Sequence, residues 1–454
     1  MTDAAMAEES ASARVFNEHR HRLWGVAYRV LGRVNDVEDV VQDTWLRWSG
    51  VQVEEVDDPE AYLVRVATRL AIDRLRSAQS RREVYVGPWL PEPILTGPDV
   101  VEAMHGVLRF WMGRGIDGFR IDVMGMVLKH PELADNPPNP AWKQGDHFAR
   151  EFLWMNNRNF PDVFHAVRGV RAVLDEYEGR TAVGEVFGDA HMLSRYYGGE
   201  SLDGLPLAFN FQLIDERDNG RYTPWEADTL RRIVSGYEAV LPAGAQPCWA
   251  LGNHDRPRFV SRNDADGRGG TRARAAAFLL LGLRGTPFLY YGEELGMADV
   301  AIPEERQLDP ARIHREGRDP ERTPMPWDGT PGRGFSTGEP WLPHGPADMN
   351  VAAQARDQSS TLSLYRRLLA VRRAEAALHR GGYRELPAAH GVFAFVREAD
   401  GARPVMVAVN TGLEPAETRL PAGFATVLAA SGEEVVVAGD SLVVGPLGAA
   451  WVGG

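Results

Sequence analysis

The chain of 454 residues is poor in cysteine, in lysine and in long apolar runs. Its single cysteine, Cys248, excludes an intrachain disulfide framework and a cysteine-based zinc site, and fits a reducing compartment. The longest apolar run, residues 275–283, is too short to cross a bilayer. The first ten residues are acidic and polar, whereas an export signal needs a basic start and an apolar core. We therefore expect a cytoplasmic protein without membrane contact.

Positive charge is also in deficit. Fifty basic residues, of which only Lys129 and Lys143 are lysine, face 63 acidic residues, and the formal net charge is −13. This balance excludes a broadly cationic surface that attracts nucleic acid everywhere, although it leaves room for a local basic patch. The hydrophobic content of 44% predicts a folded core, and the length suggests about three domains.

The pattern of apolar and polar residues changes near residue 98. From residue 15 to residue 82 the apolar residues step by threes and fours, without strand-like alternation, which predicts an all-helical segment. Charge is segregated along it, since residues 35–60 hold nine acidic residues and one arginine, whereas residues 61–82 hold six arginines and one aspartate. An acidic helix is therefore expected to precede a basic one.

The sequence after residue 98 predicts an amphipathic helix, then a β/α alternation, then a small antiparallel β domain. One stripe of the helix holds Val100, Val101, Met104, Val107, Leu108, Trp111 and Met112. The first set of strands is predicted at 118–123, 181–186, 206–213, 246–251 and 286–291. The strands of the terminal domain are predicted at 392–397, 404–410, 424–429, 434–437 and 442–444. The expected domains are residues 1–97, 98–385 and 386–454.

Three of the predicted strands end in acidic residues. One strand carries Arg120 and Asp122, another ends in Glu185, and a third is followed by His254 and Asp255. Each acid alone fits the cap of a following helix. The carboxyl ends of parallel strands meet at one edge of a sheet, however, so the three together predict a carboxylate-based site.

These motifs resemble glycoside hydrolase family 13, the α-amylase superfamily, and within it the α-glucosidases and oligo-1,6-glucosidases. The resemblance runs from about residue 99 to the end, and it includes TPFLYYGEE at 286–294 and GRDPERTPMPWD at 317–328. It implies Asp122 as nucleophile, Glu185 as general acid/base and Asp255 as transition-state stabiliser. The residues that it implies for substrate binding are Arg120, His254, Arg318 and Arg322.

The implied chemistry suits these residue types. Retaining hydrolysis needs one ionised carboxylate to attack the anomeric carbon and one protonated carboxyl group to protonate the leaving oxygen. Arg120 beside Asp122 favours an ionised nucleophile, and a more apolar setting favours a protonated Glu185. No metal or organic cofactor is required, and the twelve histidines show no metal-binding spacing. The expected substrate is an α-glucoside oligosaccharide, and hydrolysis, transglycosylation and trehalose-forming isomerisation stay open.

Part of the family pattern is missing. Nothing before residue 118 resembles the first three strands of the family's barrel, and the motif Asp-x-Val-x-Asn-His is absent. The expected fold is an α/β multidomain chain with an N-terminal helical domain, a partial (β/α)8 TIM-type barrel of about strands 4–8 and a C-terminal antiparallel β domain. An open parallel sheet leaves an unpaired edge at residues 118–123, which favours aggregation or pairing with another copy of the chain. Catalytic activity is expected to be impaired.

The helical part resembles region 2 of extracytoplasmic-function sigma factors over about residues 12–96. The segments that carry this resemblance include VFNEHR at 15–20 and DVEDVVQDTWL at 36–46. It implies docking on the RNA polymerase core through Asp39 and Asp43. The residues that it implies for promoter DNA, through phosphate contacts and base stacking, are Arg65, Arg69, Arg74 and Arg76. A solvated surface without a partner is the alternative interpretation of both helices.

Three functions follow from these two resemblances. The first is an α-glucosidase-like retaining hydrolase that carries a sigma-like helical domain. The second is a protein that binds RNA polymerase and promoter DNA, with an inert barrel remnant. No helix-turn-helix domain is found after residue 96, so promoter-specific initiation is not expected. The third is a chimera, formed where two genes met near residues 97–104, that has neither activity.

Overall fold

The computed structural model describes residues 11–31, 34–51, 56, 58–80, 98–143, 150–216, 221–309, 317–432 and 434–454. The chain divides into two compact units, Met1–Gly97 and Pro98–Gly454. The first is here named the helical unit and the second the α/β unit. The division of the second unit at residue 385 stays a prediction.

The helical unit contains α1 (Ala11–Leu31), α2 (Val34–Trp48) and α3 (Pro59–Ser80), as the periodicity predicts. Asp58 caps α3, since its side chain accepts a hydrogen bond from the Ala61 amide at 2.9 Å. Pro59 suits the first helical position because no intrahelical partner for its nitrogen is needed there. The apolar stripes of the helices close on one core of Phe16, Leu23, Ala27, Leu31, Val37, Val40, Val41, Trp48, Leu63, Ala67 and Ala71.

The α/β unit begins with alternating helices and strands, in agreement with the prediction, although each strand is shorter than expected. The first elements are α4 (Pro98–Met112), β1 (Gly118–Ile121), α5 (Val163–Leu174), β2 (Thr181–Gly184), α6 (Ala190–Arg195) and β3 (Leu207–Asn210). A short antiparallel ribbon follows, with β4 (Asp215–Glu216) and β5 (Arg221–Tyr222). The next elements are α7 (Ala227–Glu238), β6 (Cys248–Ala250), α8 (Phe259–Arg262), α9 (Gly269–Gly282) and β7 (Thr286–Phe288).

Five of these strands form one parallel sheet in the order β1-β2-β3-β6-β7. Parallel neighbours need long crossovers, which the intervening helices supply. The inner strands β2, β3 and β6 are mostly buried, whereas β1 and β7 are mostly half-buried. Among the described residues no strand pairs with the outer side of β1 or of β7. The sheet is therefore open at both edges, and the carboxyl ends of its strands point the same way.

The amphipathic helix predicted after residue 98 is present as α4, but its apolar stripe is only partly covered. Met112 is buried, and Leu108 packs with it against α5. The other apolar side chains of α4 are exposed, namely Val100, Val101, Met104, Val107, Phe110 and Trp111. An apolar stripe predicts a buried face, and here most of that face lies open.

The chain ends in the predicted antiparallel β domain, which follows three helices. The helices are α10 (Val351–Gln354), α11 (Thr361–Ala374) and α12 (Ala376–Arg380). The strands are β8 (Gly382–Leu386), β9 (Val392–Glu398), β10 (Val405–Asn410), β11 (Ala416–Arg419), β12 (Thr426–Ala430), β13 (Val435–Ala438), β14 (Ser441–Val444) and β15 (Ala449–Gly453). They form sheets of order β12-β15-β10-β9-β8 and β11-β14-β13. The sequence did not predict β8, β11 or β15.

Helix α9 joins the parallel sheet to the C-terminal sheet. Its residues 275–281 are all buried, so this part of the helix has no solvent face. Phe278 packs edge-on against Trp451 of β15, and the Trp451 indole donates to the Phe278 carbonyl at 3.2 Å. Trp249 of β6 and Trp451 belong to the same continuous core. The apolar run that is too short for a membrane is thus a helix buried inside the unit.

Candidate active site

The three predicted acidic motifs lie at the carboxyl ends of parallel strands. Asp122 directly follows β1, which carries Arg120, and Glu185 directly follows β2. Asp255 lies in the loop after β6. Since β1, β2 and β6 run in the same direction in one sheet, the residues after them lie at one edge. The structure thus places the three acidic motifs at one edge of the sheet, and their catalytic role stays a prediction.

Arg120 bridges two carboxylates. Its Nη1 atom lies 2.5 Å from Oδ1 of Asp122, and its Nη2 atom lies 2.8 Å from Oε2 of Glu185. The two acids differ in environment, because the Asp122 side chain is 61% exposed and the Glu185 side chain 5%. Glu185 is thus buried as expected, but a guanidinium contacts its carboxylate in place of a purely apolar setting. One planar cation orients both acids, which a lysine could not do with the same fixed geometry.

Val123, the next residue after Asp122, has a strained backbone. Its φ angle of 38° lies in the left-handed region, which β-branched side chains rarely adopt. The Val123 amide donates to Oε2 of Glu185 at 3.3 Å. The tight turn after β1 thus aims a backbone donor at the buried carboxylate. Strain of this kind persists where the surrounding structure enforces it, and it is frequent at functional sites.

Asp255 is held by two arginines. Its Oδ1 atom accepts from Nη1 of Arg318 at 2.8 Å and from Nη2 of Arg322 at 3.0 Å. Burial alone opposes ionisation of this carboxyl group, but His254, Arg318 and Arg322 outweigh burial and lower its pKa. Asp255 is therefore a carboxylate at neutral pH. The structure brings together the loop after β6 and the GRDPER segment, which the sequence separates by about sixty residues.

His254 lies between the two groups of charges. Burial lowers the pKa of its imidazole, and the attraction of Asp255 is opposed by the charges of Arg322, Arg120 and Arg318. The imidazole is therefore neutral at physiological pH, and it can donate one hydrogen bond and accept another. The charge of Arg120, which lies on β1, lowers the pKa of His254 in the loop after β6. The residues at the ends of β1 and β2 are therefore close enough to those after β6 to interact electrostatically.

The sequence did not single out Asp309, which holds Arg318 from behind. Its Oδ2 atom accepts from Nε of Arg318 at 2.8 Å and its Oδ1 atom accepts from Nη2 at 2.8 Å. Its side chain is only 1% exposed. Nothing in the local sequence marks this residue, because its partner lies nine positions away in a loop without regular periodicity.

Backbone contacts fix the loop that carries His254 and Asp255. Oδ1 of Asn253 accepts from the Asp255 amide at 3.0 Å, and Nε of Arg322 donates to the His254 carbonyl at 2.7 Å. Below the loop, Arg262 donates to the Leu251 carbonyl at 2.6 Å. Hydrogen bonds at Leu251, Asn253, His254 and Asp255 thus orient the loop before a ligand arrives, which is the arrangement that a preorganised site needs.

A buried acid lies beneath this loop. Burial raises the pKa of Glu293 to about 8, although the charges of Arg262 and Arg258 oppose the shift. Glu293 follows β7, and its Oε1 atom lies directly against Gly252, where a β-carbon would come within 2.4 Å of it. Gly252 is therefore required by the close approach. At neutral pH the Glu293 carboxyl group is therefore mostly protonated, and it packs against the loop at Gly252.

The residues predicted to bind polymerase and DNA lie on two helices. Asp39 and Asp43 are exposed on α2, and Arg65 and Arg69 are exposed on α3. Asp39 and Asp43 are four positions apart, as are Arg65 and Arg69, so each pair shares one helix face. The side chains of Arg74 and Arg76 lie outside the described residues.

Neither a metal cluster nor a membrane span is found in the described ranges. Those ranges hold no group of three or more His, Cys, Asp or Glu side chains placed to bind a metal ion. No described helix is long and apolar enough to cross a bilayer. Cys248 is buried in β6, and burial raises the pKa of its thiol well above the usual range.

A sheet of parallel β/α units with acidic residues at the carboxyl ends of its strands is the architecture of a catalytic α/β domain. Residues 90–381 match the family model of the α-amylase catalytic domain, and the chain belongs to the α-amylase family. Residues 15–81 match the model of sigma-70 region 2. The chain thus joins parts of two families, as the sequence motifs predict.

Similar proteins include curated α-glucosidases. The chain is 35% identical over 354 residues to the probable α-glucosidase of Rhizobium meliloti (strain 1021), and the match covers 73% of the chain and 61% of that relative. It is 31% identical to the oligo-1,6-glucosidase of Parageobacillus thermoglucosidasius, over 63% of the chain and 55% of that relative. The chain therefore spans less than two thirds of the length of these relatives.

Solved structures of similar fold include two glucosyl-processing enzymes. An α-glucosyl transfer enzyme is 32% identical with a TM-score of 0.70, and the match covers 79% of this chain and 68% of that chain. The trehalulose synthase of Pseudomonas mesoacidophila MX-45 is 27% identical with a TM-score of 0.67, again over 79% and 68% of the two chains. The similarity stops short of the full length of either enzyme.

Proposed function

We propose that the α/β unit is an α-glucosidase-like retaining glycoside hydrolase that acts on the α-glucosidic bonds of short oligosaccharides. The observation that carries this proposal is the bridge from Arg120 to Asp122 and Glu185 at the ends of β1 and β2. In this assignment Asp122, the more exposed acid, attacks the anomeric carbon. Glu185, the buried acid, protonates the leaving oxygen and then deprotonates the attacking water.

The residues after β6 are assigned to charge stabilisation and sugar binding. Asp255 is ionised, and its carboxylate suits the positive charge that develops on the sugar ring in the transition state. His254, neutral at physiological pH, is assigned to a hydroxyl of the sugar, together with Arg120, Arg318 and Arg322. No metal or organic cofactor takes part in this assignment.

We further propose that the five parallel strands correspond to strands 4–8 of a (β/α)8 barrel. The open edges at β1 and β7 and the partial coverage of the relatives support this correspondence. A barrel closed by eight strands would cover Asp122 on a side that is open here. Activity of the chain alone is therefore expected to be low. A cytoplasmic location is proposed because the single cysteine needs no oxidising compartment.

Hydrolysis of 4-nitrophenyl α-glucoside by the purified chain tests this function. Asp122→Asn is expected to lower kcat on the order of a thousandfold, because it removes the attacking carboxylate. Asp400→Asn, which changes an exposed aspartate in the C-terminal domain, is the matched control and leaves the rate unchanged. A rate that is equal in the chain and in Asp122→Asn would refute the assignment. Product analysis with maltose separates hydrolysis from glucosyl transfer and isomerisation.

A second candidate function is supported by the helical unit. The match to sigma-70 region 2 and the exposed faces of α2 and α3 favour docking on RNA polymerase and contact with promoter DNA. Capture of purified RNA polymerase core by the immobilised chain tests it. Charge reversal in Asp39→Arg/Asp43→Arg is expected to abolish capture. Capture that survives this reversal would contradict the assigned docking face.

A further inference from the structure

We propose that the α/β unit binds, in trans, a second polypeptide that supplies three parallel β/α units and closes the open sheet into a barrel. This inference rests on the proposed correspondence of the five strands to part of a barrel. Its structural basis is the coincidence of three features: a free edge on β1, a free edge on β7 and an uncovered apolar face on α4. A polypeptide of three parallel β/α units would pair with both free edges and would also cover the apolar face of α4.

The outer edge of β1 has the geometry to receive a parallel strand. The carbonyls of Asp117 and Ile121 point toward β2, where they accept from the Thr181 and Glu185 amides at 3.2 and 2.9 Å. Because strand residues alternate in direction, the backbone groups of Gly118 and Arg120 point to the opposite side. That side faces no described strand, and a new strand would find a donor and an acceptor at each of the two residues.

The outer edge of β7 is more selective. The Thr286 amide donates to the Pro247 carbonyl at 2.8 Å, which orients Thr286 toward β6. By the same alternation Pro287 is oriented outward, and proline has no N–H to donate. A strand that pairs here must therefore donate to the Pro287 carbonyl and needs no acceptor opposite that residue. This asymmetry fixes which edge of the ligand meets β7.

The uncovered face of α4 indicates that helices must accompany the added strands. This face is formed by Val100, Met104, Val107 and Trp111, which follow one another at spacings of three and four residues. Along one flank of this face α4 packs against α5 through Leu108 and Met112. A β/α unit beside β1 places a helix next to α4, in the same relation that α5 has to it. Added strands without helices would pair with both sheet edges but would leave the apolar face of α4 exposed.

A second copy of the chain does not meet these requirements. A copy related by a two-fold axis would pair β1 with β1 in antiparallel orientation, and both β7 edges would stay open. Three β/α units close both edges together, since eight strands close a barrel of this kind. The solved glucosyl transfer enzyme, of which this chain covers 68%, has further chain in which such units can lie.

Coexpression provides the test, with the full chain as it exists. The probe is the amino-terminal segment of the Rhizobium meliloti probable α-glucosidase, tagged and ended where its similarity to this chain begins. The segment is expected to be soluble and to copurify one-to-one with the chain, and to aggregate when expressed alone. Amide hydrogen exchange at Gly118 and Arg120 is expected to slow at least tenfold in the complex.

Two double variants make the test specific. Met104→Glu/Val107→Glu places charges on the uncovered face of α4 and is expected to abolish copurification. Leu413→Glu/Val436→Glu changes two residues of similar exposure in the C-terminal domain, and copurification is expected to persist. A segment that aggregates beside a folded chain, a complex that tolerates the α4 charges, or a homodimer formed through this face would each overturn the proposal.

The outcome is separable from that of the proposed function. A complex that forms but does not hydrolyse 4-nitrophenyl α-glucoside leaves the docking surface standing and refutes the hydrolase. A complex whose activity is at least tenfold above that of the chain alone, and is lost in Asp122→Asn, supports both. Activity of the chain alone without any complex supports the hydrolase and refutes the docking.

Discussion

The carboxylate of Asp309 accepts two hydrogen bonds from the guanidinium of Arg318, from Nε and from Nη2, each at 2.8 Å, and a third from the Arg318 amide at 2.6 Å. The remaining Nη1 atom of Arg318 donates to Asp255 at 2.8 Å. Hydrogen bonding to Asp309 is the largest cause that raises the pKa of Arg318, so the guanidinium stays charged. The buried Asp309 thus orients the Arg318 guanidinium, which in turn contacts Asp255.

Replacing Asp309 by alanine is expected to destabilise the α/β unit by about 2 kcal/mol, because it removes the buried one of two carboxylates that bind the half-buried guanidinium of Arg318. Urea denaturation of the chain measures this loss. Glu339→Ala is the matched control, since Glu339 pairs with Arg306 but is 82% exposed. The control is expected to change stability by less than about 0.5 kcal/mol. Equal losses in both variants would contradict the structural role of Asp309.

Val123→Gly is expected to stabilise the chain by about 1 kcal/mol, because glycine adopts the left-handed conformation at residue 123 without strain. Val127→Gly, four residues further on, is the control. Val127 has a right-handed helical backbone with a φ angle of −70°, so glycine there is expected to cost roughly 0.5–1 kcal/mol. Urea midpoints compare the two variants. Destabilisation by both would show that the turn after β1 holds no strain that glycine can release.

The buried acid Glu293 is expected to make stability fall as the pH rises. Its pKa is about 8 in the folded chain against an ordinary value of 4.5, so between these values unfolding releases a proton. The folded state therefore loses stability as the pH increases from about 5 to 8. Burial also raises the pKa of Glu321 to about 8, and this group adds to the slope.

Glu293→Gln is expected to keep the packing and to remove its share of this slope. Thermal midpoints at pH 5.5 and pH 8 measure the difference, which is expected to be several degrees smaller in the variant than in the unchanged chain. Glu339→Gln, at an exposed position, leaves the difference as it was. A slope that is identical in all three proteins would show that Glu293 ionises freely in the folded state.

Arg397 is expected to be among the most sensitive positions of the C-terminal domain. Its guanidinium donates to the carbonyls of Gly282, Leu378, Gly381 and Gly382 at 2.7–2.9 Å. Arg397→Met leaves these acceptors without their donor and is expected to cost about 3 kcal/mol. Arg384→Met removes an exposed arginine that pairs with Glu398, and a loss below about 0.5 kcal/mol is expected. Chemical denaturation of both variants measures the two losses. Equal losses would show that the removal of either arginine has the same effect.

Periodicity predicted the fold wherever one face of an element is polar. The three helices of the helical unit are examples. Strand β15 (Ala449–Gly453) escaped prediction although the equally buried β10 did not, because two alanines and a glycine replace most of the β-branched residues that mark β10 as a strand. A pattern also cannot tell whether an apolar stripe has a partner, and the stripe of α4 is mostly open.

The sequence was sufficient to predict those residues of the candidate site that lie at the ends of strands. The two-residue spacing of Arg120 and Asp122 places both on one side of the strand, and the structure pairs them. Asp309 could not be predicted, because its contact with Arg318 joins residues nine positions apart that no helical or strand periodicity of the sequence links. The guanidinium on Glu185 was also unforeseen, since it depends on the distance between two neighbouring strands.

The burial of α9 on all sides has a consequence for how the molecule can be divided. Gly282 lies so close to β10 that a β-carbon would come within 2.8 Å of Val407, and Phe278 lies against Trp451. A protein shortened at residue 385 would leave one flank of this helix in water, although the sequence changes character at that point. We therefore expect the two sheets to unfold in one cooperative transition, and a transplant of either sheet to need α9 and the other sheet with it.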